Sequence, residues 1–196
     1  MKIVKLANDM KDVKDWDKMV DWFEKRTNNH IKLVQKYCEL VADYDPVFEE
    51  LIERGEVHDA SKFEEPEMTP YVWTTWQYKC KDDGIKLEIP EDIKEKMNAA
   101  TFHHVKHNKH HPENHTEQSK DILNREDRDK PPSEIIDATK MEDIDIGELV
   151  CDWMAMAEEK GTNPKDWADK NVNIRWKFTN KQKDLIYDLI KNIWKK

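Results

Sequence analysis

Apolar residues recur at helical spacing along most of the chain. Val13, Trp16, Val20 and Phe23 form one stripe, and His30, Leu33, Val34, Tyr37 and Val41 continue it, which places His30 on a core-facing side. Asp45-Pro46 interrupts the pattern, and a short helix through Val47, Leu51 and Ile52 is expected to end at Gly55, a residue type favoured just past a helix C-terminus. His58-Asp59 should then open a new helix. Between Glu64 and Pro90 the spacing of Pro66, Pro70, Gly84 and several aromatics predicts one helix flanked by irregular loops and a short hairpin. Pro90-Glu91-Asp92 is a helix start, and Ile93, Met97 and Ala100 carry that helix towards a histidine cluster, with a stop near Pro112. Residues 113–134 are almost wholly polar and include Pro131-Pro132, the composition of a mobile connection. A helix over Met141–Lys160 should be broken by Gly161 and Pro164. A last amphipathic helix after Thr179 has Leu185, Leu189, Ile190 and Ile193 on one stripe. The prediction is an all-α bundle with at least five substantial helices.

Composition agrees with helices and narrows the function. The 196 residues are 37% hydrophobic and 38% charged, with four glycines and eight prolines, which suits one core wrapped by long amphipathic helices. A net charge of -9 opposes a polymeric nucleic acid as partner and leaves a small anionic substrate dependent on a bound cation. Cys38, Cys80 and Cys151 lie far apart, outside any metal-ribbon or disulfide framework, as in a reducing compartment. No signal peptide or membrane-spanning stretch is legible, so the expectation is a cytoplasmic protein with no membrane partner. The four glycines form no phosphate loop, and Ser61 lacks the setting of a nucleophile elbow. Trp16, Trp22, Trp153 and Trp167 read as packing residues, since no basic residues interleave with them.

Six of the eight histidines fall between His103 and His115; the other two, His30 and His58, stand alone among apolar neighbours. A histidine tract by itself also arises as a surface segment that scavenges metal. His58-Asp59 pairs a borderline nitrogen donor with a hard carboxylate, a combination suited to Zn, Mn, Fe or Co. Asp152 lies in the apolar helical segment Glu148-Leu149-Val150-Cys151-Asp152-Trp153, and a buried carboxylate calls for a cation or a donor beside it.

The ordered series His, His-Asp, His, Asp on successive helices resembles the HD-domain superfamily of metal-dependent phosphohydrolases. Within it, His58-Asp59-Ala60-Ser61-Lys62-Phe63, Glu67 and Tyr71, His104-x-x-x-Asn108-x-His110-His111 and Glu148-x-x-x-Asp152-Trp153 resemble an uncharacterised HD-like family of phage and bacterial proteins. The resemblance covers about residues 27–160. It implies an HD-like helical bundle over 27–160 around a central metal site, an N-terminal helical extension over 1–26, and a C-terminal helical extension over 161–196 packed on the same core. It makes His30, His58, Asp59 and Asp152 the ligands of one metal. A second ion, with Asp59 bridging, would take His104 and either His110 or His111. The extra His103, His107 and His115 leave the ligand of the third helix open, though a stripe of His104, His107 and His111 favours His104. Lys62, one turn after His58, resembles a phosphate-anchoring lysine and, with Asp59 and His104, completes the catalytic set. Asn108 is expected to contact substrate or support a ligand, and Glu67 and Tyr71 to brace the site.

The implied cofactors are one or two divalent ions, Mn, Fe, Co, Zn or Ni, with Mg as a further candidate. Such ions activate water and neutralise phosphoryl oxygens. The expected reaction is hydrolysis of a nucleotide or another small phosphorylated metabolite. A di-iron oxygenase of the same ligand type and a non-catalytic HD module that binds a nucleotide or a partner are the alternatives. Substrate, metal identity and oligomeric state are not written in the sequence.

Overall fold

A computed structural model describes residues 15–117 and 134–195. Val13 and the Pro131-Pro132 part of the expected connection lie outside the described residues. Among the described residues the fold is all-α: seven α-helices, short 3₁₀ turns and two strands of two residues each. No helix among them is long and apolar enough to cross a membrane.

The helices are α1 (Trp16–Tyr44), α2 (Leu51–Val57), α3 (Met68–Asp82), α4 (Glu91–His107), α5 (Asp143–Lys160), α6 (Pro164–Asn171) and α7 (Asn180–Ile193). They divide between two compact units, each discontinuous in sequence. The first unit takes α1 up to Asn28 and residues 60–104; the second takes residues 29–59 and everything from Val105 onward.

The first unit is built on α3 and most of α4. Its core is Met19, Phe23, Val72, Trp73, Ile89, Ile93 and Met97, with the Phe23 and Phe63 rings 5.4 Å apart. Pro70 falls in the first turn of α3, where its missing N–H leaves no intrahelical bond unmade. The expected hairpin is absent among the described residues, because α3 takes up most of that stretch in one helix.

The second unit packs α2, α6, α7 and the C-terminal part of α1 around α5. Its core includes Val34, Val41, Leu51, Ile146, Leu149, Met154, Ile186 and Leu189. Strands β1 (Ile136–Asp137) and β2 (Trp176–Lys177) pair in parallel, Ile136 opposite Trp176. The start of α7 after Thr179 is fixed by a reciprocal capping box with Gln182.

Several expected boundaries shift, each for a physical reason. Gly55 does not end α2 but sits inside it; a Cβ there would lie 3.3 Å from the Cys38 side chain and the Gln35 Cα, so glycine permits close approach of α2 to α1. His58 caps the end of α2 and does not open a helix, because Asp59 takes a left-handed φ of 59° before the 3₁₀ turn Ala60–Phe63. The α4 helix stops at His107, and Pro112 instead begins a 3₁₀ turn through His115. That turn buries Glu113, which accepts a hydrogen bond from Trp176 Nε1 at 3.0 Å, so this part of the expected mobile connection is anchored. Pro164, expected only to break structure, starts α6 behind an Asn163 cap.

Candidate metal centre

The second unit brings polar side chains from four places into its interior. His30 comes from α1, His58 and Asp59 from the end of α2, His110 and His111 from the turn after α4, and Glu148 and Asp152 from α5. Along Asp145–Cys151 every residue of α5 is buried, so its acids must find partners inside the unit. They do so by helical phase: Asp145, Glu148, Asp152 and Glu159 follow one another at three-, four- and seven-residue steps along a single face.

Asp59 lies at the centre. Its Oδ2 is 3.7 Å from His58 Nε2 and 3.9 Å from His30 Nε2, while its Oδ1 is 3.8 Å from His110 Nε2. The two oxygens of one carboxylate thus face different imidazoles. The left-handed backbone at Asp59 sets this orientation; aspartate tolerates it better than most residues, at a cost of about 1–2 kcal/mol. His30 Nε2 also lies 3.0 Å from Asp152 Oδ1, and its Nδ1 lies 3.9 Å from Glu159 Oε2. Burial pushes the Asp152 carboxyl up, but the hydrogen bond and charge of His30 outweigh it and hold the group at about 2.

Glu148 stands behind the imidazoles. Its Oε1 is 2.8 Å from His58 Nδ1 and 3.1 Å from His110 Nδ1. Its Oε2 accepts from Arg54 Nε at 2.8 Å, and the same guanidinium donates to Asp145 Oδ1 at 2.7 Å. Burial alone would raise the Glu148 carboxyl; the hydrogen bonds from His110 and His58 hold it well below the usual carboxylate range.

This donor set fits a divalent cation. An ionised Glu148 can only accept, so His58 donates from Nδ1, which in the neutral imidazole leaves the lone pair on Nε2. That nitrogen is buried, with no hydrogen-bond partner among the described residues. It faces a carboxylate oxygen at 3.7 Å, so in the neutral ring two electron-rich atoms point at one another. Ligands about 2.0–2.2 Å from one ion stand ~3–4 Å apart, the separation seen here. His30, His58 and Asp59 each offer an atom within 4.8 Å of the others, as do Asp59, His110 and His111, and also His58, His110 and Glu148.

Lys62 and His103 belong to the first unit, and His107 and Asn108 to the second. His104 belongs to the first unit, where its Nδ1 is 2.9 Å from Glu67 Oε2, and His103 Nδ1 is 2.6 Å from Glu67 Oε1. Glu67 is fully buried; burial raises its carboxyl, but His104, His103 and Ser61 hold it below its ordinary value. Lys62 lies over the Tyr71 ring, 5.2 Å from its centroid, in the same unit. His107 is exposed, so the stripe expected from His104, His107 and His111 breaks at the end of α4. Asn108 contributes its carbonyl, which accepts from the His111 N–H at 3.1 Å. Sequence reasoning assigned no role to Arg54, Asp145 or Glu159 and did not separate Glu148 from its motif. The legible signal was the one-face spacing of acids on an otherwise apolar α5.

No curated protein and no solved structure matches the chain. A family of unknown function, DUF5662, matches residues 19–196, nearly the whole length, and the chain belongs to that family.

Proposed function

We propose that the second unit is a metal-dependent phosphohydrolase of the HD-domain type, acting on a nucleotide or another small phosphorylated metabolite. The observation that carries this reading is the buried His58 Nε2, unpartnered among the described residues and facing Asp59 Oδ2 while Nδ1 is held by Glu148. Once the proton that His30 Nε2 shares with Asp152 Oδ1 is released, His30, His58, Asp59 Oδ2 and Asp152 would hold one divalent ion, and Asp59 Oδ1, His110 and His111 would take part in holding a second. Such ions supply Lewis-acid charge that activates water and neutralises phosphoryl oxygens.

The chain's own residues set the stage for that chemistry. Glu148 fixes the imidazoles in orientation, and Arg54 meets the Glu148 and Asp145 charges. Asp59 divides its two oxygens between the imidazole groups. Burial of His58, Asp59 and His110 keeps bulk water from competing for these positions.

The test is metal analysis of gently purified protein, followed by a screen of nucleotides and sugar phosphates for phosphate release with Mn²⁺, Co²⁺ or Mg²⁺ under anaerobic conditions. Metal-dependent phosphate release supports the reading. Stoichiometric iron with oxygen-dependent turnover would replace it with the di-iron oxygenase, and ligand binding without turnover on any metal would replace it with a binding module.

A further inference from the structure

The sharing of one Glu148 oxygen between two imidazoles has a consequence for how the centre is assembled. Glu148 Oε1 meets both His58 Nδ1 at 2.8 Å and His110 Nδ1 at 3.1 Å. The two rings stand side by side, their centroids 4.3 Å apart. Arg54 holds the opposite oxygen through Nε and is itself anchored on Asp145, so the carboxylate is gripped from behind and cannot turn Oε1 away. With both Nδ1 atoms donating, both Nε2 lone pairs point out of the ring pair. His58 Nε2 then looks towards Asp59 Oδ2 and His110 Nε2 towards Asp59 Oδ1.

We propose that Glu148 is a positioning residue that sets the tautomer of His58 and His110 through one shared oxygen, so that the two cation positions on either side of Asp59 fill as a coupled pair. The coupling rests on the metal reading above; the tautomers do not. Glu148→Gln keeps the shape and separates the effects. If the amide oxygen faces the imidazoles, its NH₂ meets the Arg54 Nε–H, donor against donor. If the amide turns over, its NH₂ faces the two Nδ1 atoms, which must then accept, and the ring protons move to Nε2, the atom a cation needs.

The experiment has two arms on the full chain. In the first, histidine ¹⁵N shifts of the metal-free protein report the tautomers. Protons on Nδ1 of both His58 and His110 are expected in the wild type, with a shift towards Nε2 protonation in Glu148→Gln. In the second, Mn²⁺ alone is titrated into both proteins. Glu148→Gln should weaken both binding events, on the order of 10–100-fold, whereas Asp152→Asn should weaken only one. Protons on Nε2 of either ring in the wild type would overturn the proposal, and this arm decides even if Glu148→Gln fails to fold. Loss of one Mn²⁺ event with the other unchanged in Glu148→Gln would overturn the coupling. Nδ1 protonation with no Mn²⁺ uptake at all would overturn the metal reading and the coupling with it, while supporting the positioning role.

Discussion

Gly147→Ala tests how tightly α5 is set against α2, and so how Glu148 is held. A Cβ at Gly147 would lie 3.0 Å from Leu51 Cδ1 and 3.1 Å and 3.2 Å from Phe48 Cδ1 and Cε1. Ordinary carbon contacts are about 3.5–4.0 Å, so helix or side chains must give by ~0.5 Å. Neither neighbour has free space to move into: Leu51 is 0% and Phe48 3% exposed. Overpacking of this kind costs about 1–3 kcal/mol, while replacing a mid-helix glycine by alanine returns ~1 kcal/mol of helix propensity. The net expectation is a loss of about 1 kcal/mol in urea unfolding. Leu51→Ala alone should cost ~2–5 kcal/mol. In the double variant the new methyl finds vacated room, so the two losses should fall short of additivity by about 1 kcal/mol. A Gly147→Ala protein more stable than wild type, or a strictly additive cycle, would refute the close approach.

Three further outcomes follow from the same contacts. Because Asp59 has a φ of 59°, metal-free Asp59→Gly should be more stable than Asp59→Ala by about 1 kcal/mol in urea unfolding; equal stability would contradict the left-handed backbone. Arg54→Met strips the cation shared by Asp145 and Glu148, whose side chains are 3% and 7% exposed, and should destabilise by roughly 3–5 kcal/mol; a loss under ~1 kcal/mol in chemical denaturation would show that the pair is not needed. Thr179→Ala removes the capping box with Gln182 and should lower stability by about 1 kcal/mol, read as a drop in the thermal midpoint; an unchanged midpoint would count against that cap.

Helix content was legible because the apolar stripes of α1 and α7 repeat at a period close to 3.6 residues. Local signals were misread where a residue serves a distant partner. Gly55 carries a stop signal in sequence, yet Cys38 on α1 explains it as a contact between helices. Asn163-Pro164 holds both a cap and a favoured first residue, but after Gly161 it read as a break. Histidine and aspartate are scarce enough on apolar faces for His30, His58, Asp59 and Asp152 to be visible. Arg54 was not, because its partner Glu148 lies 94 residues away and nothing local distinguishes it from a solvated arginine. The left-handed turn at Asp59, which aims the carboxylate, has no glycine to announce it.

The central claim is that His58 Nε2 and Asp59 Oδ2 face a cation. Equilibrium dialysis of chelator-treated protein against Mn²⁺, with His58→Gln and Asp59→Asn beside the wild type and folding checked by circular dichroism, measures this directly. The account predicts one or two ions retained per wild-type chain and uptake largely lost in both folded variants. Wild-type protein that retains no ion, or variants that bind as the wild type does, would contradict it.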